Sequence, residues 1–131
     1  MKIFAVSDVH SFFTPMKKEL DKKGFRANDP EHLLVICGDL FDRGPETVGL
    51  IEYINNLTNV VLVKGNHETL MEKMWGRGYA MSHDESNGTL RTANDIIYDH
   101  AEETGSKEPF TIVKETLDPI FDRMVDYFET E

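Results

Sequence analysis

Three short polar clusters in this chain carry residue types that bind metals and transfer protons. The clusters read SDVH at 7–10, GDLFDRG at 38–44 and GNHE at 65–68. Their carboxylate, imidazole and amide groups are ligands suited to Mn²⁺, Fe or Zn²⁺. One such cluster alone is commonly a solvated turn, a helix cap or a surface ion pair. Three of them, each directly after an apolar run, indicate one site assembled from several segments.

The spacing of the side chains suggests how they share metal ions. Asp8 and His10 are two residues apart at a strand end, so their side chains point the same way and can hold one ion. Asp39, at the end of the next strand, is placed to give an oxygen to each of two ions. Asn66 is placed to give a neutral oxygen to the second ion.

The segments around the clusters predict how they are brought together. We expect buried strands at 2–7, 32–37 and 59–64, and helices at 14–24 and 45–57. Thr14 is predicted as the N-cap of the first helix and Gly24 as its end. This βαβαβ order predicts parallel strands joined by right-handed helical crossovers. The carboxyl ends of such strands lie at one edge of the sheet, where open α/β folds place their active sites.

The rest of the chain predicts helices with an acidic surface. We expect helices over 67–75, 89–103 and 110–117, and a glycine-containing loop over 76–88. Asp118 and Pro119 are predicted to begin a last helix. Its apolar face would consist of Ile120, Phe121, Met124, Val125 and Phe128.

Composition excludes some function classes. Of the net charge of −10, residues 1–67 contribute 9 acids against 8 bases, and residues 68–131 contribute 15 acids against 6 bases. Such a surface repels nucleic-acid backbones. There is no apolar run of the ~18 residues that a membrane span needs. Cys37 is the single cysteine, which excludes an internal disulfide and fits a reducing cytoplasm, and its apolar surroundings predict a buried thiol.

The motifs DVH, GDLFDRG and GNHE resemble the signatures of calcineurin-like metallophosphoesterases. The resemblance covers about residues 1–75 and is greatest to the bacterial and phage serine/threonine phosphoprotein phosphatases. The neighbouring symmetrical diadenosine tetraphosphate hydrolases typically have glutamine at the position of His10 and asparagine at that of Asp42. These two residues therefore favour the protein-phosphatase branch.

The resemblance implies a phosphoester hydrolase with a dinuclear centre, with Mn²⁺ as the first choice of metal and Fe or Zn²⁺ as alternatives. Asp8 and His10 would bind the first ion, Asp39 would bridge both ions, and Asn66 would bind the second. A hydroxide held by the metals would attack phosphorus.

The same resemblance assigns roles to the remaining motif residues. His67 would protonate the leaving group, and Asp42 would orient its imidazole and keep it protonated. Arg43, together with Asn66, would bind the substrate, with the guanidinium clamping the phosphoryl oxygens.

The chain departs from the family pattern at several positions. Ser7 and Ser11 stand where the family usually has glycine, a change that we expect the loop to tolerate. The family carries two further histidine ligands on later strands, whereas His83 and His100 are the only histidines after His67, and we expect both at the surface. We expect one α/β domain resembling the N-terminal part of a metallophosphoesterase, with its second sheet missing. Its motif-bearing core would be residues 1–67 and its acidic helical region residues 68–131.

These features predict the partners and leave alternatives open. A phosphorylated protein or a small phosphoester is the expected substrate, without nucleic acid or membrane. A missing second sheet would leave an apolar face and an unpaired strand edge, which predict a homo-oligomer. The alternatives are a catalytically silent fragment that serves as a binding or assembly module, and a nucleotide pyrophosphohydrolase.

Overall fold

The computed structural model describes residues 1–100 and 108–125. The strands are Lys2–Val6 (β1), His32–Cys37 (β2), Val60–Val63 (β3) and Met124–Val125 (β4). The helices are Phe13–Lys23 (α1), Thr47–Asn55 (α2), Asn66–Arg77 (α3), Ser82–Asn87 (α4), Thr89–Asp99 (α5) and Pro109–Phe121 (α6). In the part of the chain described, no helix has the length and apolarity needed to cross a bilayer.

The four strands form one parallel sheet in the order β1-β2-β3-β4. The alternation of strands and helices predicted this α/β class. Every crossover moves to the next position in the same direction. Because such crossovers are right-handed, they place the connecting helices on one face of the sheet.

The hydrophobic core lies between the sheet and those helices. Leu34, Ile36 and Leu62 point to the helical side and are almost completely buried. Burial of each such side chain contributes roughly 1.5–3 kcal/mol. The helices meet them with large apolar side chains, of which the most buried are Leu50, Ile54, Met71, Met74, Ile96, Ile112, Leu117 and Ile120. Packing of these helices fixes the strand ends that carry the three polar clusters.

No other described segment covers the opposite face of the sheet. Ile3 is 67% exposed and Val61 37% exposed, although both are apolar strand residues. Cys37 also lies on this side and is exposed, so the expectation of a buried thiol is wrong. Alternate side chains of a strand point to opposite faces of the sheet. The described residues cover only one face of β2, and Cys37 lies on the other face although its neighbours in sequence are apolar.

Several predicted boundaries are corrected by the structure. Gly24 ends α1 with a left-handed backbone, as expected, but α1 begins at Phe13, and Thr14 lies inside it. The Thr14 hydroxyl and N–H donate to the Glu46 carboxylate instead of capping the helix. The predicted loop at 76–88 contains α4. Gly78 ends α3 and Gly88 ends α4, and neither glycine prevents the helix between them.

The predicted last helix is also wrong. Asp118 and Pro119 lie inside α6, where proline in the final turn removes only one backbone donor. Met124 and Val125 extend the sheet beside β3, and the Lys64 N–H donates to the Val125 carbonyl at 2.9 Å. Phe128 lies outside the described residues.

Candidate metal centre

Asp8, His10 and Asp39 form a group of potential metal ligands at the carboxyl edge of the sheet. One ligand atom from each side chain lies within 4.8 Å of those of the others. Across residues 1–100 and 108–125, this is the one group of three or more His, Cys, Asp or Glu side chains with that spacing. Two carboxylates and one imidazole suit Mn²⁺, Fe or Zn²⁺, so the residues present fit a divalent ion.

The ring of His10 is oriented for ligation. Its Nδ1 lies 3.0 Å from the Phe41 carbonyl oxygen. A carbonyl only accepts, so Nδ1 donates the proton and Nε2 keeps its lone pair. Nε2 is 3.7 Å from Asp8 Oδ1, on the side where a shared ion would bind. Histidine ligands in metal sites usually make such a second hydrogen bond.

The loops that carry these ligands have an unusual backbone. Six non-glycine residues there adopt positive φ angles: Asp8, His10, Ser11, Asp39, Asp42 and Arg43. Left-handed conformations cost about 1–2 kcal/mol per residue and cluster at functional sites. Backbone hydrogen bonds hold the first loop to the second, from His10 N–H to the Asp39 carbonyl at 3.1 Å and from Ser11 N–H to the Leu40 carbonyl at 2.9 Å.

The left-handed backbone explains why glycine is usual in the family at the position of Ser11. Its φ is 61°, a conformation that glycine adopts without cost. The Ser11 side chain is buried, and its hydroxyl is hydrogen-bonded to that of Thr47 at 2.9 Å. Serine therefore fits this loop with its polar group satisfied.

Glu68 ties the second loop to the third. Its buried carboxylate accepts hydrogen bonds from the backbone N–H groups of Asp39 at 2.8 Å, Leu40 at 3.2 Å and Gly65 at 3.0 Å. Burial raises the pKa of Glu68 to about 7; the negative charge of Asp39 adds to the increase, and the three N–H donors oppose it. The backbone of the candidate ligand Asp39 is thus held by a carboxylate from α3.

A close backbone approach completes the contact between these loops. A Cβ added to Gly65 would lie 2.5 Å from the Asp39 nitrogen, closer than a side chain can pack. Two residues later, the backbone N–H of His67 donates to Asp39 Oδ1 at 2.9 Å. Asn66, between them, is the exposed first residue of α3. The GNHE motif therefore lies against the bridging-ligand candidate.

His67 and Asp42 form a buried pair beside the ligand group. Nδ1 of His67 lies 2.8 Å from Asp42 Oδ2, and because a carboxylate accepts, Nδ1 donates. The ring of His67 packs edge-to-face with that of His10, with 4.8 Å between centroids. The pair is therefore adjacent to the group of candidate metal ligands.

Arg43 is exposed at the rim of the site. Within the described residues its guanidinium forms no ion pair, whereas its backbone carbonyl accepts a hydrogen bond from Arg91 Nη1 at 3.2 Å. The charged end is available for an anion.

The later histidines lie away from the ligand group, and His83 is exposed on α4, as expected. Its Nε2 is 3.4 Å from Asp84 Oδ1. His100 follows α5, is only half-buried, and lies 3.8 Å from Asp99 Oδ2.

Sequence reasoning missed three contributors to this site. Glu68 lies in the GNHE motif, but no metal-binding or catalytic role was assigned to it from the sequence. Thr89 and Thr92, whose hydroxyls donate to Asp42, lie in a segment predicted only as an acidic helix. Their spacing of three residues places them on one helix face, but the contact spans 47 and 50 residues of chain, which no local pattern reveals.

The parallel sheet and the ligand group at its carboxyl edge define an α/β protein with a candidate metal centre. The family model of calcineurin-like phosphoesterases matches residues 1–125, and the chain belongs to this family.

Relatives come from two branches of the family. A symmetrical bis(5'-nucleosyl)-tetraphosphatase from Buchnera aphidicola subsp. Schizaphis graminum is 36% identical over 69 residues, which are 52% of this chain and 24% of the relative. Serine/threonine-protein phosphatase 1 from Salmonella typhimurium is 36% identical over 69 residues, which are 52% of this chain and 30% of the relative. A second tetraphosphatase, from Buchnera aphidicola subsp. Baizongia pistaciae, is 27% identical over 75% of this chain and 35% of the relative. The matches thus span about a quarter to a third of the length of these relatives.

Proposed function

We propose that this chain hydrolyses phosphomonoesters with the help of divalent metal ions, and that phosphoserine or phosphothreonine in proteins is its substrate class. The observation that supports this proposal is the adjacency of the ligand group to the buried pair of His67 and Asp42. The His67 backbone donates to Asp39 Oδ1 at 2.9 Å, and its side chain donates to Asp42. A metal site and a proton donor next to one another are what phosphoester hydrolysis requires.

The proposed ligands divide between two ions. Asp8 and His10 would hold the first, Asp39 would contribute to both, and Asn66 would contribute to the second. Divalent ions, when bound, supply Lewis-acid charge that polarises the phosphoryl group and promotes ionisation of water. Mn²⁺ is the proposed ion, with Fe and Zn²⁺ as alternatives.

The role proposed for His67 is to donate a proton to the leaving group. An oxygen derived from water bonds to phosphorus, the phosphorus–oxygen bond of the ester breaks, and its electron pair passes to the leaving oxygen. His67 Nδ1 already donates to Asp42. The proton that the leaving oxygen takes therefore comes from His67 Nε2.

Arg43 is proposed to bind the phosphoryl group. A guanidinium can donate two parallel hydrogen bonds to phosphate oxygens, which fixes the orientation of the ester. Its exposure and its lack of an ion pair within the described residues leave it available for this contact.

A second candidate activity is hydrolysis of dinucleoside tetraphosphates. The tetraphosphatases among the relatives favour it. Against it stand His10, whose Nε2 belongs to the ligand group, and Asp42, whose carboxylate accepts from His67. Both residue types are those of the protein-phosphatase branch that the motifs resemble.

The proposal is tested by hydrolysis of p-nitrophenyl phosphate with and without Mn²⁺. We expect Mn²⁺-dependent turnover that Asp39→Asn and His67→Asn abolish. Asp21→Asn and His83→Asn, which change exposed residues on α1 and α4, serve as matched controls and should retain activity. A panel containing a phosphoserine peptide and diadenosine tetraphosphate then separates the two candidate activities.

Absence of turnover in metal-loaded protein would contradict the enzyme proposal for this chain. A catalytically silent binding or assembly module would then be the better interpretation. The exposed apolar face of the sheet would be its contact surface.

A further inference from the structure

Asp42 has more hydrogen-bond partners than its pairing with His67 requires. Its carboxylate is 1% exposed. Oδ2 accepts from His67 Nδ1 at 2.8 Å and from the Thr89 hydroxyl at 2.9 Å. Oδ1 accepts from the Thr92 hydroxyl at 2.7 Å. Two threonines from α5 thus share this buried carboxylate with the histidine.

Thr92 holds both the backbone and the side chain of Asp42. Its hydroxyl oxygen accepts from the Asp42 N–H at 2.9 Å while its proton goes to Oδ1. The same hydroxyl is 3.4 Å from the Gly88 carbonyl, and the shorter contact to a charged oxygen takes the single proton. Because Asp42 has a φ of 73°, its backbone is one that needs such external support.

The start of α5 is built to lie against this loop. Thr89 and Thr92 are both buried on one face of the helix. Gly88, directly before the helix, has a φ of 84°, and a Cβ there would lie 2.5 Å from the Arg43 nitrogen. One turn further on, Arg91 Nη1 donates to the Arg43 carbonyl at 3.2 Å. The contacts to Asp42 and to the following residue, Arg43, therefore come from the same corner of the helical region.

We propose that Thr89 and Thr92 are positioning residues for proton donation by His67. Their hydroxyls fix the Asp42 carboxylate in the orientation that receives the His67 Nδ1 proton, which leaves Nε2 to serve the leaving group. The effect on proton donation rests on the proposed function. The orientation of Asp42 by the two hydroxyls rests on the hydrogen bonds alone. The helical region predicted only as an acidic surface thus forms part of the site.

The hydrogen bond itself is tested by nuclear magnetic resonance on ¹⁵N-labelled protein. The readout is the exchange rate of the His67 Nδ1 proton with water. In Thr89→Val/Thr92→Val, which keeps the side-chain shape and removes both hydroxyls, we expect this exchange to be about 10-fold faster or the resonance to be lost. Thr89→Ser/Thr92→Ser restores the hydroxyls and should behave as the unchanged protein.

The controls separate positioning from general destabilisation. Thr116→Val removes a helix hydroxyl that donates to the Ile112 carbonyl, and it should leave the His67 proton unaffected. If the double valine variant does not fold, Thr89→Val alone removes one partner of Oδ2 and provides the same readout. Unchanged exchange in a folded valine variant would overturn the inference, as would serine variants that behave like valine.

Catalysis offers a second readout for metal-loaded protein. Protonation matters more for phenyl phosphate, whose leaving group is poor, than for p-nitrophenyl phosphate. We expect the double valine variant to lose about 10-fold more kcat on the first substrate than on the second. Equal losses on both would overturn a positioning role. If the unchanged chain shows no turnover, the proposed function fails, and the proton-exchange measurement still decides the inference.

Discussion

At the residue scale, the loops of the candidate site are held in place by hydrogen bonds between side chains and backbone groups. Glu68 is the clearest case, because its one carboxylate accepts from three backbone N–H groups in two loops. Its residue type and place in GNHE were visible in the sequence. Its partners were not, since Asp39 and Leu40 precede it by 29 and 28 residues.

Replacement of Glu68 by alanine is therefore expected to lower the free energy of unfolding. Each buried N–H donor that loses its partner costs about 1–3 kcal/mol, and the variant leaves three of them unpaired. Removal of the buried carboxylate charge offsets part of this cost. We expect a net loss of about 2 kcal/mol or more in urea unfolding. Glu72→Ala, on the same helix, removes a partly exposed ion pair with Lys64 and should cost less than about 1 kcal/mol. Equal losses for the two variants would contradict this account of Glu68.

At the element scale, the sequence predicted the first three strands better than the helical region, and it missed β4. The apolar runs and the polar residues that end them place β1, β2 and β3 within a residue or so of their observed bounds. The helical region was less predictable, because α4 lies between two glycines and Pro119 lies inside α6. Local signals mark where a helix can end, and tertiary packing decides whether it does.

The close approach of the loop after β3 to the second loop gives a test at this scale. Gly65→Ala would place a Cβ 2.6 Å from Asp39 Oδ1, so the loops must separate. We expect a loss of about 1–3 kcal/mol in the free energy of unfolding. Gly76→Ala is the matched control, since that position lies inside α3 with no atom within 4 Å of an added Cβ.

The control should change stability in the opposite direction. Alanine is favoured over glycine in a helix by about 1 kcal/mol, so Gly76→Ala is expected to stabilise the protein. If chemical denaturation shows Gly65→Ala to be as stable as the unchanged chain, that result would contradict the tight contact between Gly65 and the loop of Asp39.

At the scale of the whole molecule, residues 1–100 and 108–125 cover the sheet on one face only. The described residues of the open face are all uncharged: Ile3, Ala5, Leu33, Val35, Cys37, Val61, Val63 and Val125. Parallel sheets are almost always covered on both faces. We propose that a second copy of this chain covers it, because two identical uncharged faces can pack about a two-fold axis without burying an unpaired charge.

Sedimentation velocity tests this association. We expect a dimer for the unchanged chain and a monomer for Val61→Glu, which places a charge on β3 in the open face. Tyr98→Glu, at an exposed position on α5 away from that face, should remain dimeric. A monomer for the unchanged chain at all accessible concentrations would contradict the proposal.

The central claim is that Asp8, His10 and Asp39 bind a divalent metal ion at the carboxyl edge of the sheet. Its most direct test is a calorimetric titration of the metal-free protein with Mn²⁺. We expect saturable binding that Asp39→Asn weakens by at least about 10-fold, since even the hydrogen-bond partners of metal ligands contribute roughly 10- to 100-fold. Asp21→Asn, in an exposed ion pair on α1, should bind as the unchanged protein does. Absence of binding, or equal affinity in the two variants, would contradict the claim.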